Sequence, residues 1–178
     1  AFCQRHKVAH EQCGKIVVAT EQEELPRLEK LLERGTANGL KGLRKLAPEQ
    51  IREIEAHAAG LAAIHVPEEG IVDYGAVVKA LAAEIRSKGG QIACGSRVEK
   101  LRGLGGAWVV QSTQGEFEAK QLVACAGLHS DRVVSKSGMK PSAKIMPFRG
   151  EYYMIRKERQ SLVRNLIYPV PDPQFPFL

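Results

Sequence analysis

Residues 122–130, Leu-Val-Ala-Cys-Ala-Gly-Leu-His-Ser, set one glycine between a continuous apolar run and a residue suited to start a helix. A strand, a glycine and a helix in that order let backbone approach a nucleotide at the carboxyl end of a sheet. The same order also serves plain tight packing, and the chain holds neither GxGxxG nor GxxxxGK(S/T) to complete a phosphate cradle. Charge is the second chemical feature. Nine basic residues (Arg132, Lys136, Lys140, Lys144, Arg149, Arg156, Lys157, Arg159, Arg164) lie between Ser130 and Arg164. Only three acids (Asp131, Glu151, Glu158) oppose them, so this segment carries the whole net charge of +6. Such a field attracts an anionic substrate, a phosphate-bearing cofactor or an acidic membrane surface, while a merely solvated face remains open. The aromatics are not interleaved as base-stacking platforms, so no nucleic-acid partner is expected.

Metal chemistry is not expected. Cys3, Cys13, Cys94 and Cys125 form no CxxC pair. Cys94 and Cys125 sit in apolar, strand-like runs, where a free cysteine serves as a small hydrophobe. His6 and His10 are four apart and could share a helix face, but no third ligand is near them. These features suggest a reduced, cytoplasmic protein without zinc, with peripheral contact at an inner membrane left open.

The elements that must position these residues follow from periodicity. Lys15–Ala19 reads as a short buried strand by its β-branched content. Thr20 with Glu23 fits a capping box, and Leu25, Leu28, Leu31 and Leu32 make a helical stripe ending at Gly35, with a kink or restart at Pro26. Pro48 opens a further helix with Ile51 and Ile54 inward, and Leu61–Val66 reads as a strand. Asp73 caps a helix whose stripe is Tyr74, Val77, Val78, Leu81 and Ile85, stopped by Gly89-Gly90. Strands are then expected at 91–94, 97–101, 107–113 and 116–119, the later ones as a β-meander. Val123–Ala126 is expected as a parallel strand buried on both faces and paired with its neighbours. Ser130 is expected to cap a helix through Val133 and Val134, and Ile145–Ile155 to form a long strand.

At 178 residues, with 44% hydrophobic and 26% charged residues, the chain is of globular composition. No apolar run approaches the roughly 20 residues of a membrane span, and the start has no leader pattern. The lack of an initiator Met and the apolar end Phe175-Pro176-Phe177-Leu178 suggest an internal piece of a longer protein.

Four stretches, in order, resemble the D-amino-acid-oxidase (DAO) family of flavoproteins: Gly70-Ile71-Val72-Asp73-Tyr74, Ser96-Arg97-Val98-Glu99, Val123-Ala124-Cys125-Ala126-Gly127 and Pro147-Phe148-Arg149-Gly150-Glu151. Within that family, Cys13–Thr20, Gly70–Tyr74 and the run from Asn165 through Pro173 to Leu178 are similar to the L-2-hydroxyglutarate dehydrogenase/oxidase branch. The resemblance implies a mixed α/β (α+β) fold, with part of a Rossmann-like FAD-binding domain and part of a β-sheet substrate domain. Residues 1–72 would be mainly a substrate or cap-domain segment, 73–135 a segment of the FAD-binding domain with its meander, and 136–178 a return into the substrate-domain sheet. It implies FAD as cofactor of the full-length protein, with an incomplete site in this piece, and oxidation of a 2-hydroxy acid such as L-2-hydroxyglutarate to 2-oxoglutarate.

Residue by residue, Val98 matches the position whose backbone meets the adenine end of FAD. Ala126 and Gly127 match the turn that passes the dinucleotide, and Tyr168 a strand tyrosine facing the substrate beside the flavin. Arg149 is a candidate for bidentate pairing with a carboxylate of a small dicarboxylate substrate, or else a brace at a domain junction. Packing alone would also account for each of these positions. The catalytic base is not identified; His65 and His129 qualify by chemistry only. The electron acceptor, quinone or oxygen, stays open, as do two rivals: an amine or amino-acid oxidase of the glycine or sarcosine type, and a non-catalytic basic binding module.

Overall fold

The computed structural model describes residues 1–174. In chain order its elements are α1 (Phe2–Arg5), β1 (His10–Glu11), β2 (Lys15–Ala19), α2 (Leu25–Ala37), β3 (Arg44–Leu46), α3 (Pro48–Ile54), β4 (Ala62–Val66), β5 (Ile71–Val72), α4 (Tyr74–Ser87), β6 (Val98–Leu104), β7 (Ala107–Ser112), β8 (Gly115–Ala119), α5 (Ser130–Lys136) and β9 (Leu166–Pro169). The chain divides into two compact units: Ala1–Glu84 with the chain from Met154 onward, and Ile85–Tyr153.

In the first unit, strands run in the order β3-β4-β2-β9, antiparallel except for the parallel pair β2–β9. Strand β2 is apolar on both sides because both of its faces are covered. Ala19 joins Ile64, Val66 and Val170 against Leu28 of α2, whereas Ile16 and Val18 join Leu46 and Ala63 against Ile51 of α3. A Gln22–Glu24 turn of 3-10 helix leads into α2, so Pro26 falls in the first helical turn, where a missing N–H costs nothing. The expected capping box is shifted by one residue. Glu24 rather than Glu23 folds back, its carboxylate accepting from the backbone N–H groups of Thr20 and Glu21.

The inward face of α3 ends in an acid. Glu55 is 1% exposed, and its Oε1 accepts the backbone N–H groups of both Arg164, at 2.9 Å, and Asn165. Asn165 in turn donates its side-chain amide to the Cys13 carbonyl at 2.8 Å. Gly14, at φ +77°, donates its N–H to the Glu69 carbonyl and accepts from the Leu166 N–H. Buried polar groups therefore dock the start of β9 against β2, fixing the register that pairs Tyr168 with Val17.

His65 lies on β4 directly across from Arg44, with its Nδ1 buried and unpartnered among the described residues. Burial, and secondarily the Arg44 guanidinium, push its pKa below the ordinary 6.5. The unfolded chain takes a proton near 6.5 while the folded one resists it. Stability from this residue is therefore complete above that pH and declines as pH falls from 6.5 toward the lower folded value. Melting temperatures of the full-length protein at pH 7.5 and pH 5 are expected to differ less in His65→Gln than in wild type. An equal pH slope in both would show that His65 is not acid-sensitive.

The second unit contains an antiparallel meander, β6-β7-β8, whose register matches the expected turns. Gly105 and Gly106, both at positive φ, make the tight β6–β7 turn. Helix α5 packs on β6, with Lys136 Nζ donating to the Glu99 carbonyl at 3.4 Å.

Several expectations fail. Gln91–Cys94, Val123–Ala126 and Ile145–Ile155 form no strand, and Val123 is 82% exposed. A strand buried on both faces needs neighbours to take its N–H and C=O groups, and no described strand flanks these runs. Cys94 and Cys125 are accordingly exposed rather than buried. Helix α4 forms with Asp73 Oδ1 accepting from the Ala76 N–H, yet Tyr74, Val78, Leu81 and Ile85 are all exposed. His129, not Ser130, occupies the position before α5, and the Ser130 hydroxyl donates to the Gly127 carbonyl. The apolar end Phe175–Leu178 lies outside the described residues.

Candidate functional site

In the second unit, a cleft of about 720 Å³ is lined by Arg97, Val98, Glu99, Ala126, His129, Arg132, Val133 and Lys136. Two of the three residues expected to meet a dinucleotide, Val98 and Ala126, thus share one wall system although far apart in sequence. A bulge brings Val98 there. The β6–β7 register slips between Val98 and Lys100, leaving Glu99 as the extra residue. Bulges re-aim neighbouring side chains, and this one turns the strand at the cleft.

The approach to Val98 is held by hydrogen bonds. The Arg97 N–H donates to Thr113 Oγ1 at 3.1 Å, and the Thr113 N–H returns to the Arg97 carbonyl at 3.0 Å. Ser96 Oγ donates to Ser112 Oγ, which itself donates to the Gly115 carbonyl. On the other wall, Asp131 Oδ2 accepts from the Ile145 N–H at 3.2 Å. The cleft carries Arg97, Arg132 and Lys136 against Glu99 alone, and the Arg97–Glu99 pair is an exposed contact of 3.4 Å. A cleft lined by Val98, Ala126 and Val133 together with three cations suits an anionic ligand with an apolar part.

Gly127 follows directly, at φ +54°, with no heavy atom beyond its chain neighbours within 4 Å of where a Cβ would stand. Its backbone faces open space, and its conformation is one that side chains other than glycine adopt at a cost.

Tyr168 belongs to the first unit, on β9, where its ring lies 5.0 Å from Lys15 Nζ and half its surface is exposed. Arg149 is exposed and pairs with the exposed Glu151 at 2.9 Å. His129 lines the cleft, whereas His65 sits in the middle of the mixed sheet. His6 meets Glu84 at 3.6 Å and His10 bonds the Val8 carbonyl, so the pair does not converge. No metal-holding cluster occurs among the described residues, and none of their helices is long and apolar enough to cross a membrane. Sequence reasoning missed Lys15 and Glu55. The second had a legible signal: an acid four residues after Ile51, on the same helical face.

A family model described as FAD dependent oxidoreductase (DAO) matches residues 1–178. L-2-hydroxyglutarate dehydrogenase of Indibacter alkaliphilus is 47% identical over 178 residues, covering 99% of this chain and 45% of that protein. The mitochondrial L-2-hydroxyglutarate dehydrogenase of Homo sapiens is 40% identical over 189 residues, covering 99% of this chain and 41% of that protein. The chain therefore spans less than half the length of these relatives. Among solved structures, dithionite-reduced L-alpha-glycerophosphate oxidase from Mycoplasma pneumoniae with FAD bound is similar at TM-score 0.73 and 18% identity, over 92% of this chain and 44% of that one. That likeness is one of fold. Since a family model matches the chain over residues 1–178, the chain belongs to the FAD dependent oxidoreductase (DAO) family.

Proposed function

We propose that the whole protein uses FAD to oxidise a 2-hydroxy acid, L-2-hydroxyglutarate to 2-oxoglutarate, and that this chain supplies the adenosine wall and part of the substrate wall. The observation that carries the cofactor role is the meeting of Val98 and Ala126 in one cleft. Its volume lies within the roughly 300–1,000 Å³ of small-molecule sites. Val98, Ala126 and Val133 would cover the adenine, and the bare backbone at Gly127 would let the dinucleotide pass closely. When bound, FAD supplies the electron acceptor that no side chain can provide. The substrate assignment draws on the names of relatives 47% and 40% identical.

Within this reading, the Tyr168 hydroxyl holds a polar group of the substrate, and Arg149 takes a carboxylate by exchanging it for Glu151. The exchange is inexpensive because an exposed ion pair contributes about 0–1 kcal/mol. The full-length enzyme, assayed with an artificial electron acceptor, is expected to turn over L-2-hydroxyglutarate and to leave glycine and sarcosine untouched. Tyr168→Phe should lower kcat/KM by about 10- to 100-fold, the equivalent of one lost buried polar partner at about 1–3 kcal/mol. Arg149→Ala should raise KM and leave kcat alone, because a carboxylate clamp acts equally on ground and transition states. A preference for glycine or sarcosine would overturn the substrate class. Unchanged kinetics in Arg149→Ala with a lower melting temperature would make that residue a brace.

A further inference from the structure

We infer that Lys15 is the specificity-determining cation for the distal carboxylate of a dicarboxylic 2-hydroxy acid, a role that rests on the reading of Tyr168 given above. A 2-hydroxy acid presents one carboxylate beside the reacting carbon; a dicarboxylate adds a second at the far end, and distinguishing the two classes requires a second cation. Lys15 is well situated for it. It opens β2, two residues before Val17, the register partner of Tyr168 on β9. Its ammonium stands 5.0 Å from the centre of the Tyr168 ring and 3.0 Å from Glu69 Oε1. The aromatic face and the carboxylate both hold the charge in place.

The Glu69 carboxylate is itself a stand-in for the ligand. It is the more exposed partner of the pair, 43% against 22% for Lys15, so it can swing into water while the partly desolvated ammonium stays. Lysine has three N–H donors and presents them without fixed orientation, so an incoming carboxylate can join Glu69 or replace it. The neighbourhood is anchored rather than loose. Gly14, next to Lys15, donates its N–H to the Glu69 carbonyl and accepts from the Leu166 N–H with its own carbonyl, and the Asn165 side-chain amide donates to the Cys13 carbonyl. A flexible side chain is thereby held against a rigid ring by three elements of one unit.

A plain sheet brace makes a different forecast. If the Lys15–Glu69 pair only held strands together, removing either partner would have the same effect. A carboxylate receptor treats them oppositely, because Glu69 competes with the substrate. In the full-length, flavin-loaded protein, kcat/KM is measured for L-2-hydroxyglutarate and for L-2-hydroxypentanoate, which has the same carbon chain without the distal carboxylate. Lys15→Gln is expected to cut the preference for the dicarboxylate at least tenfold, through KM for L-2-hydroxyglutarate, while kcat/KM for the pentanoate falls far less. Lys15→Arg should recover part of that preference, and Glu69→Gln should keep or increase it. Glutarate binding, read from the shift in melting temperature, needs no turnover and should depend on Lys15 in the same way. Equal loss of stability in Lys15→Gln and Glu69→Gln with an unchanged preference would overturn the inference. Lys15-dependent glutarate binding in a protein that does not oxidise L-2-hydroxyglutarate would retain the cation and sink the proposed reaction instead.

Discussion

Glu55→Ala is expected to destabilise the protein by about 2–5 kcal/mol, because it strips a buried site of the carboxylate that accepts from two backbone N–H groups. Each buried donor left without a partner costs about 1–3 kcal/mol, and the cavity adds to that. Against a typical total of about 5–15 kcal/mol, the loss is large. Glu55→Gln keeps a carbonyl oxygen near both donors but loses the charge assistance, so it should cost clearly less. The two variants separate a hydrogen-bonding role from a packing role: Glu55→Leu, which fills the space without accepting, should behave like Glu55→Ala. The measurement is the urea midpoint of the full-length protein. A shift equivalent to less than about 0.5 kcal/mol, the scale of an ordinary surface change, would mean that β9 is not docked through this carboxylate.

The same residue explains where the sequence was readable. Strands β2 and β4, helices α2 and α3 and the β6–β8 meander were legible because each has its partner within its own unit, so pattern and burial agree. Val17 and Ile16 show the alternation plainly once α2 and α3 are seen to cover opposite faces. The runs around Val123 and Phe148, and the stripe of α4, carry equally strong apolar patterns yet remain exposed. Periodicity records what a segment is able to bury; whether a neighbour arrives to cover it is a tertiary fact. A chain that spans 45% of a 47% identical relative leaves room for such neighbours elsewhere in the protein. At the cleft, the glycine turn was readable from its local order, but the slip at Glu99 was not, because a bulge depends on the partner strand as much as on its own residues. Lys15 and Glu55 were hidden for a related reason: their partners, Tyr168, Glu69, Arg164 and Asn165, lie far away along the chain.

Gly127→Val, directly after the cleft residue Ala126, is expected to reduce the FAD content of the full-length protein at least tenfold. Two effects combine at that position. Gly127 sits at φ +54°, a left-handed conformation that costs a residue with a Cβ about 1–2 kcal/mol and a β-branched one more. Apart from its chain neighbours, no heavy atom of the described residues lies within 4 Å of the Cβ position, so a side chain would stand in the open space along which the dinucleotide is proposed to pass. A second variant tells strain from obstruction. Asparagine tolerates the left-handed region better than other residues, so Gly127→Asn should keep the apoprotein melting temperature near wild type while still lowering flavin content through its bulk. The readouts are flavin absorbance per chain after gel filtration and melting temperature of the apoprotein. Were Gly127→Asn to hold FAD at wild-type stoichiometry while Gly127→Val lost both flavin and stability, the glycine would serve backbone conformation alone, and the path of the dinucleotide would have to run along another wall of the cleft.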